Sequence, residues 1–171
     1  MIVVITGVMA AGKSTVAQRL AERLPRSAHV RGDVFRRMIV SGRAELGTDL
    51  AAEAVDQLWL RYRLAAGTAD AYADAGFTTI VQDVILGPDL PRFLDLLRTR
   101  PVHVVVLAPD PATVERRERE RAKSGYGEWT VADLDRSLRS ETPRIGQWID
   151  TSGQTPDETV DAILAALPDR K

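Results

Sequence analysis

The run Gly7-Val8-Met9-Ala10-Ala11-Gly12-Lys13-Ser14 fits the pattern G-x-x-x-x-G-K-[ST] without a gap. It stands between two segments of opposite character. Before it, Ile2–Thr6 is a continuous β-branched run, as expected of a strand buried on both faces. After it, Lys13–Leu24 places Val16, Ala17, Leu20 and Leu24 at helical spacing, and Pro25 ends the pattern. Strand, loop and helix in that order are the setting in which such a loop binds phosphate. Two glycines let the backbone curl until successive N–H groups point inward. That nest, together with the positive end of the helix dipole, accepts phosphate oxygens. Gly7, Ala10, Ala11, Gly12, Lys13, Ser14 and Thr15 are therefore the expected nucleotide-binding residues. Lys13 supplies a mobile charge for the β- and γ-phosphates of ATP. The Ser14 hydroxyl is the expected Mg²⁺ ligand, and Thr15 adds a phosphate contact.

The rest of the chain alternates short apolar runs with helical patterns. Ser27–Arg31, Thr78–Gln82, Val102–Leu107 and Trp148–Asp150 read as further strands. Between them, helices are expected over Asp33–Ser41, from Thr48 or Asp49 to Ala75, and over Pro88–Arg98. Three more follow, from Asp110-Pro111 to Lys123, over Thr130–Ser140, and after Thr155-Pro156. Five strands separated by helices imply an α/β fold with a parallel sheet covered on both faces. At 171 residues the chain is most simply one domain, residues 1–171. The stretch Arg116–Arg139 is the candidate for a small lid over the sheet.

Composition narrows the function. There is no cysteine, which excludes a disulfide scaffold, a thiolate metal site and a cysteine nucleophile. With 23 basic and 24 acidic residues the net charge is −1, which argues against a general nucleic-acid coat. The apolar stretches, such as Val102–Ala108, fall far short of the roughly 18–20 residues of a membrane span. No basic segment precedes Met1–Ile5, so a secretory signal is not expected and a cytoplasmic protein is. Neither an H-E-x-x-H metal spacing nor a G-x-S-x-G elbow is present. His29 and His103 fall on strands and read as core or edge residues, and Trp129 and Trp148 read as packing residues.

A second acidic element should lie at the end of a strand beside the loop, to hold the water shell of the metal. Thr79-Ile80-Val81-Gln82-Asp83 is a run of this kind, as a Walker B segment would be, and Asp83 is the expected acid.

These residues together resemble the small P-loop kinases, a group that includes nucleoside monophosphate, gluconate, shikimate and adenylylsulfate kinases and chloramphenicol phosphotransferase. The resemblance covers nearly the whole chain. It implies a three-layer α/β/α P-loop NTPase fold with strand order 2-3-1-4-5 and a helical lid. Arg31-Gly32-Asp33-Val34-Phe35-Arg36-Arg37 is similar to the D-G-D-x-x-R element of adenylylsulfate kinase, with Arg31 in place of the first acid. Asp33 matches the acid that orients, or deprotonates, an acceptor hydroxyl, and Arg36 or Arg37 would hold the acceptor. Val114–Lys123 resembles the lid start of gluconate kinase, with Arg117 and Arg121 on the matching positions. The resemblance gives the first to adenine and the second to the transferring phosphate. Thr151 and Ser152 fall in the loop that passes the adenine in this group, and Trp59 falls on the helix that walls the acceptor side.

The implied activity is ATP-dependent transfer of a phosphoryl group to a hydroxyl of a small-molecule acceptor, with Mg²⁺. An antibiotic, a sugar acid, a nucleoside and a nucleotide all remain open as that acceptor. Two rivals use the same loop. One is a polynucleotide 5′-hydroxyl kinase, against which the neutral charge speaks. The other is a nucleotide-binding ATPase that transfers phosphate only to water.

Overall fold

The computed structural model describes residues 1–120 and 128–168. Five parallel strands form one sheet in the order β2-β3-β1-β4-β5. They are β1 (Ile2–Gly7), β2 (Ser27–Arg31), β3 (Thr78–Gln82), β4 (Val102–Leu107) and β5 (Gln147–Ile149). Every residue of β1 is buried, because the strand runs between β3 and β4 and is covered on both faces. This is why its sequence is an unbroken apolar run instead of an alternating one.

Helix α1 (Lys13–Glu22) packs beside the last helix, α7 (Pro156–Ala166), and Arg19 bonds Asp157 at 2.6 Å between them. Helix α3 (Ala52–Asp74) packs on the sheet beside α4 (Asp89–Leu96). Shorter helices α2 (Gly32–Arg37), α5 (Pro111–Arg119) and α6 (Val131–Arg136) stand around the carboxyl ends of the strands. The strand order reverses direction at β1, and the loop after β1 opens at that switch point, where open α/β sheets bind ligands. Among the described residues no helix is long and apolar enough to cross a membrane.

Several elements differ from the sequence reading. Helix α2 ends at Arg37, short of Ser41. The chain beyond it is drawn to α3 instead, where Gln57 donates to the Gly42 carbonyl at 2.8 Å and accepts the Ala44 N–H at 2.9 Å. Helix α3 starts at Ala52, and neither Thr48 nor Asp49 caps it. The Thr48 N–H is directed to Glu128 at 3.2 Å. The helix expected over Thr130–Ser140 is α6 followed by a π-helical turn, Ser137–Glu141, closed by the Thr142 N–H on the Ser137 carbonyl at 3.0 Å. The far end of the helix expected to reach Lys123 lies outside the described residues.

Candidate active site

The phosphate loop is built as its sequence demands. Gly12 has φ 93°, a left-handed conformation that a side chain would resist, and it caps α1 with no side chain over the helix mouth. A Cβ there would meet nothing within 4 Å, so the space in front of the first N–H groups of α1 is open. Ala10 also has a positive φ, 61°, a costly conformation for a residue with a Cβ. Lys13 is buried, and its Nζ donates to the Val8 carbonyl at 2.7 Å across the loop. Ala10, Gly12, Lys13, Ser14 and Thr15 line a cleft of about 1240 Å³. Gly7 lies behind it, against the Leu107 carbonyl, and Ala11 is buried below it.

Asp83 stands just past the end of β3, beside β1, but makes no hydrogen bond to Ser14. Parallel pairing sets Ile5 beside Gln82, and it is Gln82 that takes the Ser14 hydroxyl, at 3.1 Å. Asp83, one residue on, is turned to Arg61 of α3. The Arg61 Nε donates to Asp83 Oδ2 at 2.7 Å, and its Nη2 reaches Oδ1. The Val84 N–H adds a bond to Oδ1 at 2.7 Å. The Asp83 side chain is 1% exposed, and Arg61 and the Val84 N–H together hold its oxygens. Asp83 borders the acceptor end of the cleft. Gly32 is required beside it, because a Cβ at that position would overlap the Asp83 carboxylate. Burial pulls the Arg61 guanidinium below its ordinary range, and it stays charged because that range lies so high. The neighbouring Tyr62 donates to the Val84 carbonyl at 2.8 Å, and burial pushes its phenol well up.

Asp33 projects into the same cleft from the start of α2. Its Oδ2 accepts from Arg37 at 2.8 Å. Its Oδ1 is buried, accepts no hydrogen bond, and lies 3.7 Å from the Arg31 Nε. Arg37 does not line the cleft and holds Asp33 from the solvent side, which corrects its expected place on the acceptor. Arg36 does line it, but is tied to Glu45 and the Ala44 carbonyl. Trp59 lies on the cleft wall as expected, edge-on to Tyr62 at 5.3 Å and under the Arg92 guanidinium at 4.3 Å.

At the other end Arg117 reaches from α5 into the gap between the phosphate loop and the loop after β5. It donates to the Thr151 carbonyl at 2.9 Å and to the Ala11 carbonyl at 3.5 Å. The Thr151 hydroxyl is buried without a hydrogen bond. The Ser152 hydroxyl is occupied, donating to Asp150 and accepting the Asp110 N–H at 2.7 Å. Neither Thr151 nor Ser152 lines the cleft by its side chain. Arg121 lies outside the described residues.

Sequence reasoning missed Arg61, Gln82, Arg92 and Trp129. The only signal for Arg61 is its place beside the buried positions of α3, where Leu58, Tyr62, Ala65 and Ala69 recur at helical spacing. Trp129 lines the cleft, and its Nε1 donates to the Leu46 carbonyl at 3.3 Å.

Among the described residues no three His, Asp or Glu side chains converge. Mg²⁺ is ordinarily held by substrate phosphates, water and one or two protein oxygens. The Ser14 hydroxyl beside an open anion cradle fits that mode.

Strand order, a left-handed glycine at the helix mouth and a buried lysine on the loop define a P-loop nucleotide-binding domain. The family profile described as an AAA domain matches residues 2–143, and the chain belongs to that family. No curated protein matches the sequence. Solved structures share the fold. The Deinococcus radiodurans tunicamycin resistance protein superposes with a TM-score of 0.72 at 24% identity, over 96% of this chain and 93% of that one. The Mycobacterium tuberculosis APS kinase in complex with AMPPNP and APS gives 0.66 at 19% identity, over 96% and 95%. A gluconokinase from Sinorhizobium meliloti 1021 gives 0.65 at 19% identity, over 95% and 89%.

Proposed function

We propose that the protein is an ATP-dependent kinase that phosphorylates a hydroxyl of a small-molecule acceptor. The observation that carries this reading is the continuity of the cleft. The phosphate loop lines one end, and the Asp33 side chain, 43% exposed, lines the same space. A protein that only switched or hydrolysed ATP has no need of a walled second chamber with a carboxylate at its inner end.

In the proposed reaction the acceptor oxygen attacks the γ-phosphorus. The bond from that phosphorus to the β–γ bridging oxygen breaks, and ADP leaves with the electron pair. The hydroxyl proton passes to the Asp33 carboxylate. The loop amides and Lys13 hold the β- and γ-phosphates, and Lys13 exchanges the Val8 carbonyl for phosphate oxygen when ATP arrives. Arg117, which stands between the phosphate loop and Thr151, would pack on the adenine. Ser14 would hold Mg²⁺, which would supply charge neutralisation at the phosphates. The kinases among the proteins of like fold support the reading.

The test is product analysis with ATP, Mg²⁺ and a panel of hydroxyl compounds. ADP release that depends on one of them and yields its phosphate ester is expected. ATP hydrolysis indifferent to the whole panel would instead support the ATPase reading.

A further inference from the structure

We propose that the acceptor end of the cleft takes a bulky hydroxyl compound that carries a ring and no negative charge. The inference rests on the kinase reading and narrows it.

The argument begins with charge. An anionic acceptor needs a free cation, and the arginines of the acceptor end already face carboxylates. Arg61 holds both oxygens of Asp83. Arg36 pairs with Glu45, and Arg31 lies 3.7 Å from Asp33. Arg92 lies over the Trp59 ring and 3.7 Å from Asp89. The two described cleft arginines with no carboxylate at ion-pair distance are Arg117 and Arg136. Arg117 is seated beside the phosphate loop, and Arg136 stands on α6, which packs against the helix of Arg117.

The carboxylates show the opposite imbalance. Glu141 lines the cleft with no cation at ion-pair distance among the described residues. The π-helical turn sets it against the loop after β3, where a Cβ on Gly87 would stand 3.8 Å from its Oε2. Asp89, two residues beyond Gly87, lines the same end, and burial raises its pKa over the opposing pull of Arg92. A carboxylate or phosphate on the acceptor would meet Asp33, Asp89 and Glu141. Among the described arginines of the cleft only Arg117, beside the phosphate loop, and Arg136 could meet it without opening an existing pair. For Arg61 this means stranding a buried carboxylate, which is among the costliest changes in a protein interior.

The wall supplies the rest of the specificity. Trp59 and Tyr62 stand edge to face, and Leu58, Leu86 and Trp129 continue the surface. Ring faces and hydrocarbon of this kind favour a ring or other apolar body over a polyol. A sugar acid fails both requirements, and a nucleoside monophosphate fails the first.

The experiment titrates the whole protein, saturated with Mg²⁺ and a non-hydrolysable ATP analogue, with three probes alike except in charge. These are phenylalaninol (cationic), phenylpropanediol (neutral) and phenyllactate (anionic), with gluconate as the polyol anion. Phenylalaninol and phenylpropanediol are expected to bind at least about tenfold more tightly than phenyllactate, and gluconate least of all. Glu45→Gln, which releases Arg36, is expected to strengthen phenyllactate and to leave phenylpropanediol within about twofold. Equal or tighter binding of either anion by the unaltered protein overturns the proposal, and so does failure of both non-anionic probes to bind. Failure of the kinase reading looks different, because then the ATP analogue itself does not bind.

Discussion

Arg61 grips Asp83 with two guanidinium nitrogens across 22 positions of sequence, and the backbone of Gly32 closes against the same carboxylate. The pair ties the long helix α3 to the end of β3, directly beneath the acceptor end of the cleft. Arg61→Ala leaves that carboxylate buried without a cation and is expected to lower stability by about 3–5 kcal/mol in urea denaturation. Arg61→Lys keeps the charge without the fork and should restore only part of it. A loss below about 1 kcal/mol for Arg61→Ala would show that Asp83 finds solvent or another donor.

Lys13→Ala removes the one side-chain charge inside the phosphate loop. Turnover is expected to fall by about 10²–10³, with the far-ultraviolet circular dichroism and melting temperature close to those of the unaltered protein. Near-normal ADP production by this variant would contradict the role given to the loop.

Asp33→Asn preserves an acceptor oxygen for Arg37 but cannot take a proton. The expected result is a fall in kcat of about 10²–10⁴ with ATP affinity unchanged. Stopped-flow or coupled-enzyme rates at saturating acceptor would measure it. An unchanged kcat would reduce Asp33 to a residue that positions helix α2.

Away from the cleft, Asp70 of α3 is 2% exposed and accepts the N–H groups of Arg98 and Thr99, the nearest at 2.9 Å. Burial alone would raise its pKa, but these donors outweigh burial and the net shift is downward. A carboxylate depressed on folding contributes stability above its unfolded pKa and loses it as the pH falls through the folded value. Asp70→Asn is therefore expected to cost about 1–3 kcal/mol at neutral pH and to flatten the acid limb of the melting curve. Melting temperatures from roughly pH 7 down to 3 would show it, and parallel curves for the two proteins would contradict it.

Much of the framework was legible because burial on both faces leaves a plain mark. β2, β3 and β4 fall on the expected residues, and Asp110, Thr130 and Thr155 cap their helices through side-chain oxygens. The phosphate loop was legible because its conformation admits few residue types, and Gly12 at φ 93° is one of them.

The partner of Ser14 was not legible for a reason of pleat. Successive residues of a strand point to opposite faces, so an error of one position exchanges the partner of Ser14 for the partner of Arg61. The sequence carries the acid but not the register. Nor could it reveal Arg36 paired with Glu45, or Glu141 brought to Gly87, because these contacts depend on loop paths and on a π-helical turn without a local signature.

The account depends first on the anion cradle at the mouth of α1. Isothermal calorimetry with ATP and Mg²⁺ tests it most directly. One nucleotide bound per chain, with affinity lost when the triphosphate is replaced by adenosine, is the expected result. No heat of association, or equal affinity for adenosine and ATP, would contradict it.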